Sequence, residues 1–494
     1  MRIASLGPAF VAAGCLALAG CTVGPNYERP QPPATPAAFK ELPPPGAPGV
    51  WKPAQPGDAA VRGKWWELFA EPELNALEEK IDVSNQTLKA ATEQYLAATE
   101  QIRVARAAYF PTLGVTPLAQ RNRLSDNQPN VVPGVTKTTY NTFILQGSAS
   151  WEPDLWGQVR RTVEQAGASA QASAADLANV ALSLRSELAL DYFQVRGLDL
   201  QRQLLENTLA SDADYLKLTQ VRFAGGVATA VDVAQADTQY RSVKAQAIDV
   251  GVARAQFEHA IATLIGLPPA AFSLPPRALE VKLPPIPTGV PSALLERRPD
   301  IAGAERRVAA ANAQIGIAIS AYYPNLTLTA TGGLEATTLS PLIGMHSLFW
   351  SLGASAFELL FDGGRRHALT QQARDLYEAQ VAVYRQSVLN AFQEVEDNLA
   401  AIRILADEAE AQDAAVEAAR QSLALSTKRY KGGVATYLEV LTAQTTQLAN
   451  ERAQADVATR RCTASVQLIK ALGGGWETSQ RAPDSFSSSS AQRE

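Results

Sequence analysis

The octapeptide RFAGGVAT at residues 222–229 returns as RYKGGVAT at residues 429–436, each time between long Ala- and Gln-rich stretches. Its chemistry is that of a turn: neither copy assembles a nucleophile with a base, a metal-ligand set or a phosphate cradle. The flanks of the two copies also agree. AAYFP (Tyr109, Phe110, Pro111) corresponds to SAYYP (Tyr322, Tyr323, Pro324), LWGQVRR at 155–161 to LFDGGRR at 360–366, and LIGLP at 264–268 to KALGG at 470–474. Similarity in the same order at a nearly constant spacing is the mark of tandem duplication, and a period of roughly two hundred residues is far too long for a short-repeat solenoid. The chain must fold so that one large unit is used twice.

Each copy is expected to run in the same order. A helix over 72–108, or 299–320, ends at the Tyr-aromatic-Pro signal. Two strand-like segments follow, 112–122 and 140–152 in the first copy and 325–334 and 348–360 in the second. A very long helix comes next, 158–222 or 365–429, then the octapeptide, then a shorter helix over 230–264 or 437–471. The domain reading is a first repeat at 65–267, a Pro-rich connector at 268–292, a second repeat at 293–475 and a disordered tail at 476–494.

The strand segments carry a period of two. In 141–151, Asn141, Phe143, Leu145, Gly147, Ala149 and Trp151 fall on one face, and Thr142, Ile144, Gln146, Ser148 and Ser150 on the other. Leu326, Leu328 and Ala330 alternate with Thr327, Thr329 and Thr331. A soluble sheet covered by helices gives this pattern. So does a membrane-spanning barrel strand, apolar to lipid and polar to the lumen. Four strands cannot close a useful barrel, and open sheet edges are not tolerated in lipid. Eight strands from two chains enclose a space only wide enough for side chains. The membrane reading therefore requires three or more chains.

The helices are unusual in length and composition. A 65-residue helix spans about 100 Å, several times the ordinary globular length. QAGASAQASAADLANVALSLRSELALDYFQV and EAEAQDAAVEAARQSLALST are dominated by Ala, with Gln, Ser and acidic residues between. Ala has the highest helix propensity and lets neighbouring helices approach closely. Leu is too sparse for a core that is apolar on two sides, which suits helices packed side by side in a thin wall. A soluble antiparallel coiled coil explains the helices but not the strands.

Charge and rare residues narrow the function. Charged residues make up 19% of the 494-residue chain and the net charge is −5, without the clustered positive field that nucleic acid demands. His259, His346 and His367 are far apart, as are Cys15, Cys21 and Cys462, so no zinc pattern, disulfide framework or catalytic constellation is visible. No catalytic residue, metal or cofactor is expected. Residues 1–20 read as a signal peptide: Arg2, then an apolar, small-residue run. It ends Leu18-Ala19-Gly20-Cys21, which resembles the lipobox of bacterial lipoproteins. That resemblance implies cleavage before Cys21, with a covalent lipid on Cys21 (N-acyl and S-diacylglycerol), and Thr22 in second position favours the outer membrane. Residues 21–64 then form a Pro-rich strap, extended and poor in helix. KWWELFAEPELNALEEKI supplies aromatic anchors (Trp65, Trp66, Phe69) and a helix starting near Pro72. No later run of ~20 apolar residues offers a transmembrane helix.

The combined pattern resembles the TolC-type outer-membrane factors, in the lipoprotein (NodT/OprM-like) branch that works with proton-driven RND multidrug exporters. CTVGPNYERP, WWELFAEPELNAL, LLERRPDI (294–301), AYYPNLTLTATGG and RYKGGVATYLEVLTAQ carry the resemblance, in order and across nearly the whole mature chain. It implies a mainly α fold with a membrane β-barrel: a homotrimer with four strands per chain in a 12-stranded barrel, continuous with a long periplasmic α-barrel. Short helices stack end to end to match the long ones, which 72–108 with 230–264 would do here. The implied function is a passive exit duct in the outer membrane of a Gram-negative bacterium, partnered by a periplasmic adaptor (membrane fusion protein) and an inner-membrane RND transporter. A type I secretion duct and a non-transporting structural envelope lipoprotein are the competing readings.

In that fold each octapeptide is the periplasmic turn of a helical hairpin. Gly225-Gly226 and Gly432-Gly433 end a helix by permitting positive φ, and Thr229 and Thr436 are placed to cap the next helix. Arg222 and Arg429 sit in a last turn, where a cation complements the helix dipole. The resemblance makes Gly225, Gly226, Val227, Thr229, Gly432, Gly433, Val434 and Thr436 the adaptor contact. It also implies that a first-repeat tip aspartate pairs with a second-repeat tip tyrosine of a neighbouring chain, positions held here by Asp232 and Tyr430. Ala435 and Thr442 stand where the family has a further arginine and aspartate, and Glu439 keeps an acid one turn earlier. Asp232, Tyr430, Arg222, Arg429 and Glu439 are therefore the gate candidates.

Overall fold

The computed structural model describes residues 22–36, 38–41, 63–125, 127, 129, 132, 138–284, 286 and 297–474. The signal peptide, Cys21, much of the strap and the tail lie outside the described residues. Seven helices and four strands are described: α1 (Pro72–Ser84), α2 (Gln86–Ala107), β1 (Thr112–Arg123), β2 (Thr139–Trp151), α3 (Gln158–Ala224), α4 (Ala230–Leu264), α5 (Pro299–Ser320), β3 (Asn325–Ala336), β4 (Leu348–Phe357), α6 (Arg365–Lys431) and α7 (Tyr437–Ala471). Both long helices have 67 residues and both returning helices 35, so the duplication extends to element length.

One expected helix is in fact two. The 72–108 segment breaks at Asn85, whose backbone is extended (φ −69°, ψ 119°). The Asn85 side chain has other work: Oδ1 accepts from the Leu88 N–H at 2.8 Å, opening α2, and Nδ2 donates to the Leu264 carbonyl at 2.7 Å, closing α4. Ser84 Oγ donates to the next carbonyl, Ile265, at 2.6 Å. Gly266 turns away with φ 72°, against the Ser84 carbonyl, where a Cβ would come within 2.3 Å. The orphan donors and acceptors of two helix ends thus satisfy one another. End-to-end stacking with α4 exists, but it begins at Gln86.

Contacts divide the chain into two compact units. One contains Tyr95–Ser173, Ala304–Tyr384 and the strap up to Gln31; the other contains Pro32–Gln94, Ala174–Gly303 and the chain from Arg385 onward.

The second unit holds most of the apolar core. Trp65, Trp66 and Phe69 are buried with Leu74, Leu77 and Ile81, and the Phe69 ring meets Phe193 at 5.0 Å. The connector after α4 is pinned by buried charge. Arg196 donates to Asp199 (3.1 Å) and to the Pro275 carbonyl (2.7 Å), and Arg254 to Asp199 (2.6 Å), Glu258 (2.9 Å) and the Leu274 carbonyl (2.7 Å). The ERRPDI motif has a similar use. Arg298 pairs with Asp300 (2.6 Å) and Glu394 (2.7 Å) and donates to the Ala471 carbonyl at the end of α7 (3.0 Å).

The first unit holds the sheet. Its order is β1-β2-β3-β4, antiparallel throughout, with β1 and β4 as edges that no described residue pairs with. β4 ends at Phe357, three residues before its expected end.

Candidate functional site

The sheet and the hairpin tips are the two places where residue pattern becomes geometry. No residue of the four strands is buried, which excludes the soluble sheet covered by helices. The pairing register decides what each face presents. Leu113, Val115 and Pro117 stand opposite Ala149, Gly147 and Leu145; Leu145, Gly147 and Ala149 stand opposite Leu334, Gly332 and Ala330; and these meet Leu348, Trp350 and Leu352. Paired residues share a face, so these side chains form one apolar surface free of charge, with Leu113 80%, Trp350 72% and Leu352 73% exposed. Across the same rows the other face carries Thr116, Gln146, Ser148, Thr329, Thr331, Ser351 and Ser355. An apolar face on which none of the described residues packs is a face for lipid.

The tips sit in the second unit. Both long helices end in the same double hydrogen bond, the Schellman pattern. Val227 N–H donates to the Arg222 carbonyl (2.8 Å) and Gly226 N–H to Phe223 (2.9 Å); Val434 N–H donates to Arg429 (3.0 Å) and Gly433 N–H to Tyr430 (3.0 Å). Only the second glycine of each pair needs its freedom: Gly226 has φ 72° and Gly433 φ 75°. Each pair thus ends its helix through positive φ as expected, with Gly225 and Gly432 outside the left-handed region. Val227 and Val434 are 78% and 71% exposed at the turn.

Beyond the backbone the twins diverge. Thr229 and Asp232 form a complete capping box: Asp232 N–H donates to Thr229 Oγ1 (3.2 Å), and the Asp232 carboxylate accepts from the Thr229 N–H and hydroxyl (both 2.8 Å). Thr436 has the backbone of a cap but makes no capping bond, which corrects the expectation for it. The third helical position there is Glu439, whose longer carboxylate turns to Arg429 at 3.2 Å instead. Arg222 does the converse. It donates to the Tyr430 carbonyl (3.0 Å) and the Lys431 carbonyl (3.1 Å) of the other hairpin, with its guanidinium 4.4 Å above the Tyr430 ring. One arginine therefore serves the end of its partner repeat's helix, while its twin serves only its own hairpin.

Tyr430 is buried with Tyr437, Ala236 and Val440, and its hydroxyl meets Thr219 Oγ1 at 3.3 Å. Within one chain, then, both Asp232 and Tyr430 have partners, and the two are not paired with each other. Higher in the same layer lies Asp212, 1% exposed. It accepts from Gln444 at 3.1 Å, and burial pushes its carboxyl up to about 6 against the pull of Gln239 and Gln444.

Several of these residues escaped the sequence reading. Asn85 had a signal, an amide residue before a helical run. Tyr437, Asp212 and Gln444 had none, because what marks them is burial.

Among the described residues no cluster of His, Cys, Asp and Glu suits a metal ion. No described helix is long and apolar enough to cross a membrane, and the sheet is the surface that lipid fits. A sheet with a lipid-facing side and two free edges, built into a duplicated long-helix hairpin, defines a channel subunit of the outer-membrane type.

The model of the outer membrane efflux protein family matches residues 77–267 and 290–474, one match per repeat, and the chain belongs to that family. It is 34% identical over 445 residues to the pyoverdine export outer membrane protein OpmQ of Pseudomonas aeruginosa, covering 88% of this chain and 92% of OpmQ. It is 32% identical over 469 residues to the outer membrane protein OprJ of the same organism, covering 94% of each. The solved outer-membrane channel OprN superposes with a TM-score of 0.84 at 29% identity, over 92% of this chain and 100% of that one. The chain is an outer membrane efflux channel protein of a channel-forming, not an enzymatic, family.

Proposed function

We propose that three copies of the chain close their sheets edge to edge into one twelve-stranded barrel, and that their helices continue it as an α-barrel. The assembly is the passive exit duct of a tripartite pump in the outer membrane of a Gram-negative bacterium. The lipid on Cys21 anchors it, a periplasmic adaptor docks on the two Gly-Val turns, and an inner-membrane RND transporter supplies the substrates. The gate is the layer of Arg222, Tyr430, Asp232, Arg429 and Glu439.

The observation that carries this reading is the sheet: one continuous apolar face, and unpaired edges on β1 and β4. Every unpaired backbone group in hydrocarbon costs several kcal/mol, so edges in lipid must find partners. Two chains enclose no usable lumen; three give the smallest closed ring with one. Relatives named for pyoverdine export and for antibiotic and toluene efflux support small organic molecules as cargo.

The test is purification of the full-length protein and its addition to planar lipid bilayers. Trimers on cross-linking and stepwise ion conductance are expected. Monomers without conductance in lipid would refute the duct, and an unchanged drug sensitivity of a deletion strain would refute the efflux role.

A further inference from the structure

The first described residues of the strap, directly after Cys21, are held more tightly than a tether requires. Val23 N–H donates to the Trp156 carbonyl at 3.1 Å. The Arg161 guanidinium, 4% exposed as a side chain, donates to the carbonyls of Val23 and Gly24 (both 3.2 Å) and to Asn26 Oδ1 (3.1 Å), while Glu164 pairs with its remaining nitrogen at 2.7 Å. Asn312 Nδ2 donates to the Pro25 carbonyl at 3.1 Å, and Tyr27 bonds to Glu305.

Glycines make room for this. Gly24, at φ 89°, lies against Gly316, where a Cβ would meet the Gly316 Cα at 2.5 Å. A Cβ on Gly316 would strike Arg161 at 2.9 Å, and one on Gly157 would strike Thr22 at 2.9 Å.

The clamp also has a defined level. Gly157 follows β2, and Trp156 Nε1 donates to the carbonyl of Pro324, the residue before β3, at 2.8 Å. The Trp156 ring stacks on Tyr323 at 4.8 Å. Thr22 is therefore fixed at the foot of the sheet, where its apolar face ends. A single peptide bond separates it from Cys21.

We propose that Arg161 is the positioning residue of the lipid anchor: it fixes residues 22–26 at the foot of the sheet, so that the lipid on Cys21 and the apolar face of the sheet enter the bilayer together. The lipid then drives insertion of the sheet as well as tethering the chain. This rests on the reading that Cys21 is acylated. An anchor on a free Pro-rich linker would hold the chain near the membrane at an effective concentration set by linker length. The clamp removes that linker. It acts through hydrogen bonds to two backbone carbonyls and to the Asn26 side chain, so within the strap Gly24 and Asn26 are the positions that the arginine fork constrains.

The test crosses two changes in the full-length chain: Cys21→Ala, exported behind an ordinary secretory leader, and Arg161→Ala. The mass of the N-terminal peptide reads acylation. Insertion is followed as the rate at which the β-strands become protease-resistant in vesicles of phosphatidylethanolamine and phosphatidylglycerol. The expected result is that acylation accelerates insertion in the Arg161 chain and not in Arg161→Ala. The loss of coupling should be roughly tenfold, since two half-buried carbonyls lose their donor.

An acyl acceleration of equal size in both backgrounds overturns the proposal, because a merely structural arginine would slow both forms alike. If Arg161→Ala fails to fold, Asn312→Ala, which loses a single bond to the strap, decides in its place: an undiminished acceleration overturns the proposal. An unacylated N-terminal peptide from the parent chain refutes the acylation reading itself, a different outcome from acylated chains that show no coupling.

Discussion

Replacing Arg222 with alanine should loosen the end of the opposite hairpin, and replacing its sequence twin Arg429 should not. Arg222 gives two charge-assisted hydrogen bonds to the Tyr430 and Lys431 carbonyls at 3.0 and 3.1 Å. Such bonds contribute roughly 1.5–3 kcal/mol each when buried. Arg222 is half-buried, so about 1 kcal/mol each is the appropriate scale after solvent screening. Its position 4.4 Å over the Tyr430 ring adds about 0.5–1 kcal/mol. The sum is roughly 2–3 kcal/mol, or about a 30- to 150-fold change in local opening. Among the described residues Arg429 has only its ion pair with Glu439, with side chains 60% and 42% exposed, and such pairs contribute about 0–1 kcal/mol.

The assay is amide hydrogen exchange on the full-length protein, read at Gly433 and Val434, whose N–H groups close the Schellman turn onto Tyr430 and Arg429. Arg222→Ala should accelerate their exchange by that factor and Arg429→Ala by less than about fivefold. Equal effects of the two substitutions, or no effect of Arg222→Ala, would refute the asymmetric latch. In planar bilayers the same variant should raise or destabilise the conductance, if the tip layer is the gate.

Two further outcomes are expected. Glu78 is wholly buried, neither carboxylate oxygen has a partner, and burial pushes its carboxyl up to about 9. The folded chain therefore holds Glu78 protonated, while the unfolded chain ionises it near the ordinary value, so stability is greatest below that value and falls as pH rises towards about 9. At pH 7 the cost is about 3 kcal/mol. Glu78→Gln should recover most of it at pH 7–8 and little at pH 5 in urea denaturation; an equal gain at both pH values would sink this account. On the sheet, Leu352→Arg places a charge on the apolar face and should lower insertion stability by about 2–4 kcal/mol, seen as lost membrane-embedded protein. Ser351→Arg, one residue away on the polar face, should insert normally and alter conductance; equal loss in both variants would contradict the facing.

Much of the fold was legible because it is written in periods. The twin octapeptide gave the duplication, and the Tyr-aromatic-Pro signals gave the ends of α2 and α5 to within a residue or two. Alternation in 141–151 gave a two-sided strand. What stayed hidden depends on partners distant in sequence. The break at Asn85 was passed over because its amide is a weak local signal, and the reason for stopping there is the end of α4. Arg161 looked like one basic residue among many, yet the strap folds back onto it from far upstream.

The sequence by itself determined the repeated architecture, the two-faced strands and the turn chemistry of the tips, because side-chain direction follows backbone period and glycine permits what other residues resist. Only the tertiary structure decided that the alternating residues of four strands line up into a single apolar face, since register is a relation between strands. It alone decided that two nearly identical turns do different work. The local backbone is the same at Arg222 and Arg429, but the Tyr430 carbonyl lies beside one at 3.0 Å and Glu439 beside the other at 3.2 Å, and which partner lies in reach is a property of packing.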